Sequence, residues 1–176
     1  MSLILIRHAH SAQNPNLPAH QWGLSGRGIA QCADLVKRVA NYAPSVILTS
    51  DEPKAMQTGE LVAEQLGVAC RIYPDLHEHR RETAAWFERV EDFETTIKQL
   101  FDRPDDLVFG EETATAALKR FSAAIDRALA EYLDQRVAIV SHGTVIALYV
   151  ARKTNQAAYP FWKTLQMPDM IVLPYE

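Results

Sequence analysis

The chain has 176 residues, 18 Lys plus Arg against 22 Asp plus Glu, and 48% hydrophobic residues. This suits a single globular domain and excludes disordered and low-complexity classes. A net charge of -4 gives no whole-molecule attraction to nucleic acid or to an anionic membrane, so an anionic ligand has to be met by a local cluster of cations. The longest early apolar run, Leu3 to Ile6, ends at Arg7 and His8 and is too short for a signal peptide or a membrane span. Two cysteines, Cys32 and Cys70, form no CxxC, which points to a reducing, cytoplasmic setting.

Leu3 to Ile6 reads as a strand buried on both faces. Ser25 then caps a helix whose Ala33, Val36, Val39 and Ala40 keep helical spacing until Pro44. Val46 to Leu48 is a second buried strand. Asp51 is expected to cap a helix with Pro53 in its first turn and Gly67 at its end. Residues 69–73 form a third strand. Trp86, Val90, Phe93, Ile97 and Leu100 share one helical face until Pro104, and Leu118, Phe121, Ile125, Ala128 and Tyr132 repeat that stripe to about Leu133. Val137 to Val140 is a strand, His142-Gly143 a turn, Val145 to Arg152 a helix, and Met170 to Leu173 a last edge strand. Strands alternating with helices predict an α/β three-layer sandwich, with a mainly parallel sheet covered by helices on both faces. One domain, 1–176, is expected, with a small helical accessory segment at about 80–120.

In such sheets ligands bind beyond the carboxyl ends of the strands. His8 follows the first strand directly, and His142 follows the strand ending near Val140. Two imidazoles in equivalent strand-end positions mark a candidate site.

The motifs around them resemble a known family. Arg7-His8-Ala9-His10-Ser11 with Asn14, Leu24-Ser25-x-x-Gly28-x-x-Gln31, Thr49-Ser50-Asp51-Glu52-Pro53-Lys54-Ala55-Met56-Gln57-Thr58, Leu76-His77-Glu78 and Val140-Ser141-His142-Gly143 occur in order. They resemble the blocks of the histidine phosphatase superfamily, the phosphoglycerate-mutase-like family. The resemblance implies that His8 accepts the phosphoryl group, that Arg7 and His142 bind its oxygens, and that Glu78 is the proton donor. Asp51, Glu52 and Glu82 are alternatives for the proton donor. The chemistry agrees: phosphoryl transfer needs fixed cationic donors, a neutral imidazole nucleophile, and one carboxyl group that serves as acid and then as base.

The chain departs from the family pattern at several positions. Lys54 stands where the family has a second Arg and keeps the charge without the bidentate fork. Arg80, Arg81 and Arg120 are candidates to supply that fork. Ala9 replaces a glycine, and His10 an acidic or amide side chain. Asn14, His10 and Gly143 complete the expected phosphate- and substrate-binding set. The resemblance implies no cofactor and no metal, and as partner a small phosphorylated substrate or a phosphorylated protein side chain. The Leu-His-Glu-His-Arg-Arg run lacks the mutase elements, which favours phosphatase over phosphomutase. Two further readings differ in class. His8-x-His10 and His77-x-His79 suggest a metal-dependent hydrolase, and Lys54 with Ala9 suggests a non-catalytic phospholigand-binding module.

Overall fold

Alternate residues of each central strand feed opposite cores, which explains why the strand sequences are continuously apolar. The computed structural model describes residues 2–175. Its elements are β1 (Ser2–Arg7), α1 (Gly26–Ala40), β2 (Val46–Thr49), α2 (Pro53–Leu66), β3 (Ala69–Ile72), α3 (Val90–Asp102), α4 (Ala114–Glu131), β4 (Val137–Ser141), α5 (Gly143–Thr154), α6 (Ala158–Thr164) and β5 (Asp169–Pro174). The sheet order is β3-β2-β4-β1-β5, parallel except for β5, which runs antiparallel to β1. Leu3, Leu5, Leu48 and Ile139 pack under α3, α4, α5 and α6, whereas Ile4, Ile6, Ile47 and Val140 pack under α1 and α2. This is the expected α/β sandwich with helices on both faces. Among the described residues no helix is long and apolar enough to cross a membrane.

The helix ends follow local chemistry. Ser25 accepts from the Gly28 N–H to cap α1, Thr113 does the same for α4 from Ala116, and Gly67 ends α2 in the left-handed conformation at φ 67°. Three details differ from the sequence pattern. The N-cap of α2 is Glu52 rather than Asp51, and its carboxylate makes no capping bond. Trp86 lies before α3, outside its stripe, and meets Trp22 edge-on at 5.8 Å. The short helix α6 carries Pro160 in its first turn, a place where proline is tolerated.

Gly28 brings α1 against the loop that follows the first strand. A Cβ there would lie 2.1 Å from the His10 carbonyl oxygen, a backbone atom that cannot swing aside. Gly28→Ala is therefore expected to cost about 1–3 kcal/mol of stability through overpacking. Urea unfolding checks this; an unchanged midpoint would show that the loop yields freely.

Candidate active site

β1 and β4 are paired in parallel, with Arg7 opposite Ser141, so the chain leaves both strands at the same level with His8 and His142 side by side. The His8 N–H donates to Ser141 O at 3.0 Å, and on the other side of β4 the Ser50 N–H donates to Val140 O at 3.0 Å. The two imidazole centroids are 5.2 Å apart with planes tilted 59°. A cavity of about 640 Å³ opens over these strand ends, lined at its floor by Arg7, His8, Lys54, Glu78 and Gly143. His142 is fully buried behind that floor.

His8 Nδ1 lies 2.7 Å from the carbonyl oxygen of Ala9. A carbonyl only accepts, so Nδ1 carries the proton, and Nε2 keeps its lone pair with no protein partner among the described residues. Burial, then the nearby Lys54 ammonium, push the His8 pKa down to about 3, so the ring is neutral at neutral pH. His142 is also held well below the usual imidazole range, by burial and then by Lys54. Its Nε2 is 2.7 Å from Ser50 Oγ and 3.4 Å from Glu52 Oε1, while its buried Nδ1 has no protein partner among the described residues.

Arg7 projects from the end of β1. Its Nη1 donates to Leu165 O at 2.8 Å, which fixes one arm, and its buried Nε has no partner among the described residues. Gly143, the first residue of α5, lets this guanidinium approach: a Cβ there would lie 3.0 Å from Arg7 Nε and 3.1 Å from Cζ. The first turn of α5 thus offers a backbone N–H beside a cation, an arrangement suited to a phosphate oxygen.

Glu78 occupies the other side of that helix terminus. Its Oε2 accepts from Thr144 N–H at 3.1 Å, and its Oε1 from Val145 N–H at 3.2 Å and His79 N–H at 2.9 Å. Arg81 Nη2 is 3.7 Å away. Burial opposes the carboxylate charge, yet Arg81, His142 and the backbone donors together outweigh it and hold the Glu78 pKa at about 2. The loop carrying Glu78 is fastened from below. Ser141 Oγ donates to Leu76 O at 2.7 Å, and the Arg120 guanidinium donates to the carbonyls of Asp75, His77 and Glu78 and to Glu112.

Lys54 lies in the first turn of α2 with its side chain almost wholly buried. Its Nζ donates to Ala19 O at 2.7 Å and to Glu52 Oε2 at 2.5 Å, leaving one of three N–H donors over. Glu52 in turn accepts from the Glu78 N–H at 2.8 Å. The remaining sequence candidates divide by position. Arg80 and Arg81 line the cavity, as do Asp51 and Glu82 near its mouth. His10 Nδ1 pairs with Ser25 Oγ at 2.9 Å, the Asn14 side chain accepts from Asn16 N–H at 2.9 Å, and Arg120 is spent on the Glu78 loop, so these three lie outside the lining. His77 Nδ1 turns to Glu78 O and His79 Nε2 to Glu112 O. Among the described residues no three His, Cys, Asp or Glu side chains form a group that could hold a metal ion. Ser50 and Glu112 carry positioning contacts that no motif assigned to them.

A family model described as histidine phosphatase superfamily (branch 1) matches residues 3–172. No curated protein matches the chain closely in sequence. Solved structures share its fold. An α-ribazole phosphatase from Shigella flexneri superposes with TM-score 0.76 at 22% identity, covering 100% of this chain and 91% of that one. A phosphoserine phosphatase from Entamoeba histolytica, in complex with 3-phosphoglyceric acid, gives 0.77 at 17% identity, covering 97% and 89%. A mycobacterial glucosyl-3-phosphoglycerate phosphatase complexed with VO3 gives 0.77 at 19% identity, covering 98% and 90%.

Proposed function

Because the chain belongs to the histidine phosphatase superfamily, branch 1, we propose that it is a metal-independent, acid-type phosphatase acting on a phosphate monoester through a phosphohistidine on His8. The observation that carries this reading is the His8 tautomer. With its proton fixed on Nδ1 by the Ala9 carbonyl, the ring offers a lone pair at Nε2 to phosphorus. A site built only to bind a phosphorylated ligand needs neither this nucleophile nor a buried carboxylate beside it.

In the first step the Nε2–P bond forms and the P–O bond to the alcohol breaks, the leaving oxygen taking through Glu78 the proton that the substrate monoanion brings in. Arg7, the Gly143 N–H and the third N–H of Lys54 hold the equatorial oxygens, with His142 behind His8. In the second step Glu78, now ionised, takes a proton from water as water attacks phosphorus, and the Nε2–P bond returns its electrons to the ring. Protein cations and N–H groups supply the charge stabilisation. The related structures of phosphoserine, glucosyl-3-phosphoglycerate and α-ribazole phosphatases support the class of substrate, a small phosphorylated alcohol.

The pH profile tests the proton inventory. Glu78 at about 2 and His8 at about 3 leave both groups deprotonated in the free protein above pH 4. The proton for the leaving oxygen then enters with the substrate monoanion, which is lost near pH 6. For an alkyl phosphate, kcat/KM is expected to be flat from about pH 4 to 5.5 and to fall about tenfold per unit above 6. A fluorinated alcohol that lowers the substrate's second pKa should move the break down by the same amount, and protein dialysed against EDTA should give the same curve. A break that ignores the substrate would assign the titration to a protein group, and loss of activity to EDTA with recovery on zinc would overturn metal independence.

A further inference from the structure

Glu52 is a buried carboxylate among the residues lining the cavity, and neither step of the reaction uses it. Both its oxygens accept. Oε2 takes an N–H of Lys54 at 2.5 Å and Oε1 takes the Glu78 N–H at 2.8 Å, so the group carries no proton. His142 Nε2 stands 3.4 Å from Oε1, and the negative charge is also felt at His8. Bracing the Glu78 loop needs only an acceptor, which a neutral amide supplies. A carboxylate whose side chain is 7% exposed adds the cost of a buried charge. What the charge contributes, and an amide does not, is its field.

That field falls on the phosphoryl position. At 2.5 Å Glu52 makes the Lys54 ammonium one end of a neutral pair, which still offers an N–H to a phosphoryl oxygen but attracts its charge little. Glu78 and Arg81 form a second pair, 3.7 Å apart. His8 and His142 are held neutral. At the floor this leaves Arg7, which donates to the carbonyls of Leu165 and Gln166 and to no carboxylate of a described residue. One cation without a counter-charge matches one negative charge on the phosphoryl group, and a second negative charge meets two carboxylates instead. We propose that Glu52 is a charge filter: by cancelling Lys54 it makes the site accept the singly charged phosphoryl group and refuse the doubly charged one. This deepens the phosphatase reading and rests on Lys54 facing the phosphoryl oxygens, as given above.

The test uses oxyanions of fixed charge. Perrhenate and tungstate are tetrahedral and alike in size, with one and two negative charges. Calorimetric titration at about pH 8 gives the ratio of their Kd values, and Glu52→Gln is expected to move that ratio toward tungstate by about tenfold or more, through loss of one nearby repulsion in a largely buried site. Glu52→Asp keeps the charge and shortens the brace, so its ratio should stay within about threefold of the wild type. Circular dichroism checks that both variants fold. A Glu52→Gln ratio within about threefold of the wild type would make Glu52 a brace alone and overturns the proposal. Wild-type turnover gives a check that needs no variant. The phenolates of nitrated aryl phosphates leave without a proton, so kcat/KM for these esters should fall above each ester's second pKa because the dianion is refused, and the break should follow that pKa from ester to ester. A profile flat across it overturns the filter. Discrimination in binding with no hydrolysis of any monoester would remove the phosphatase reading and leave the filter standing, whereas hydrolysis with an unmoved ratio would do the reverse.

Discussion

Replacing His8 with alanine is expected to lower kcat/KM by a factor on the order of 10⁴ or more, as for removal of a nucleophile from an intact site, while the protein stays folded. The ring's one hydrogen bond is to the carbonyl of the next residue, so its removal severs no tie between elements. Stability gives a second readout. The folded protein resists protonating His8 until about pH 3, whereas the unfolded chain binds that proton from its ordinary value of 6.5 downward, so stability is lost as pH falls through that window. At pH 4 this amounts to roughly 3 kcal/mol, and His8→Ala should be spared it. The variant is therefore expected to be inactive yet to lose less of its Tm on acidification than the wild type. Turnover close to wild type would remove His8 as the nucleophile, as would the absence of an acid-labile phosphoryl-enzyme in quenched wild-type reactions.

Glu78→Gln should lower kcat/KM for an alkyl phosphate by about 10²–10⁴, with a signature that depends on the leaving group. Nitrophenolate needs no proton to depart, so the first step on p-nitrophenyl phosphate should survive and the second, which needs a base for water, should stall. The expected trace is a burst of nitrophenol equal to the enzyme concentration followed by slow turnover. Equal losses on both substrates with no burst would take Glu78 out of both proton transfers. The substitution also turns an amide N–H₂ toward one of three backbone N–H donors, for a stability loss of about 1–3 kcal/mol. That loss is separable from the kinetic one because it shifts the urea midpoint, whereas the burst reports chemistry alone.

What the sequence revealed and what it concealed follow from where side-chain direction is periodic. Leu3 to Ile6 and Val137 to Val140 have strand patterns, and His8 and His142 follow the ends of those two strands in the fold. Ser25 and Gly67 mark helix ends through local backbone chemistry alone. The residues after Glu78 have no period, and nothing in Arg80-Arg81 tells which guanidinium turns inward; the rings of Phe93 and Phe109 decide it from another part of the chain. Glu52 and Lys54 are two apart, a spacing that does not face on a helix. They meet because Glu52 is the N-cap, with extended dihedrals of -77° and 133°, and so lies off the helical lattice. Trp86 fits the stripe of α3 by spacing alone, but the chain there is not helical and the ring goes to Trp22. The sequence pattern predicts no element at 158–164, where α6 forms with Pro160 in its first turn.

The fastening of the Glu78 loop has an evolutionary consequence. Residues 75–79 are riveted to the scaffold by Ser141 and Arg120, and the chain returns to the same spot at Glu112, whose carbonyl receives His79 Nε2 and whose carboxylate receives the Arg80 N–H. Residues 80–111 are thus a cassette with both ends anchored side by side. Within it Arg81 reaches back to Glu78, while Ile97 and Leu100 fill the core beneath. Exchange of this cassette between relatives would change which alcohol is accepted while the distances among His8, Arg7 and Glu78 stay as they are, so new specificities are reachable without passing through an inactive ancestor.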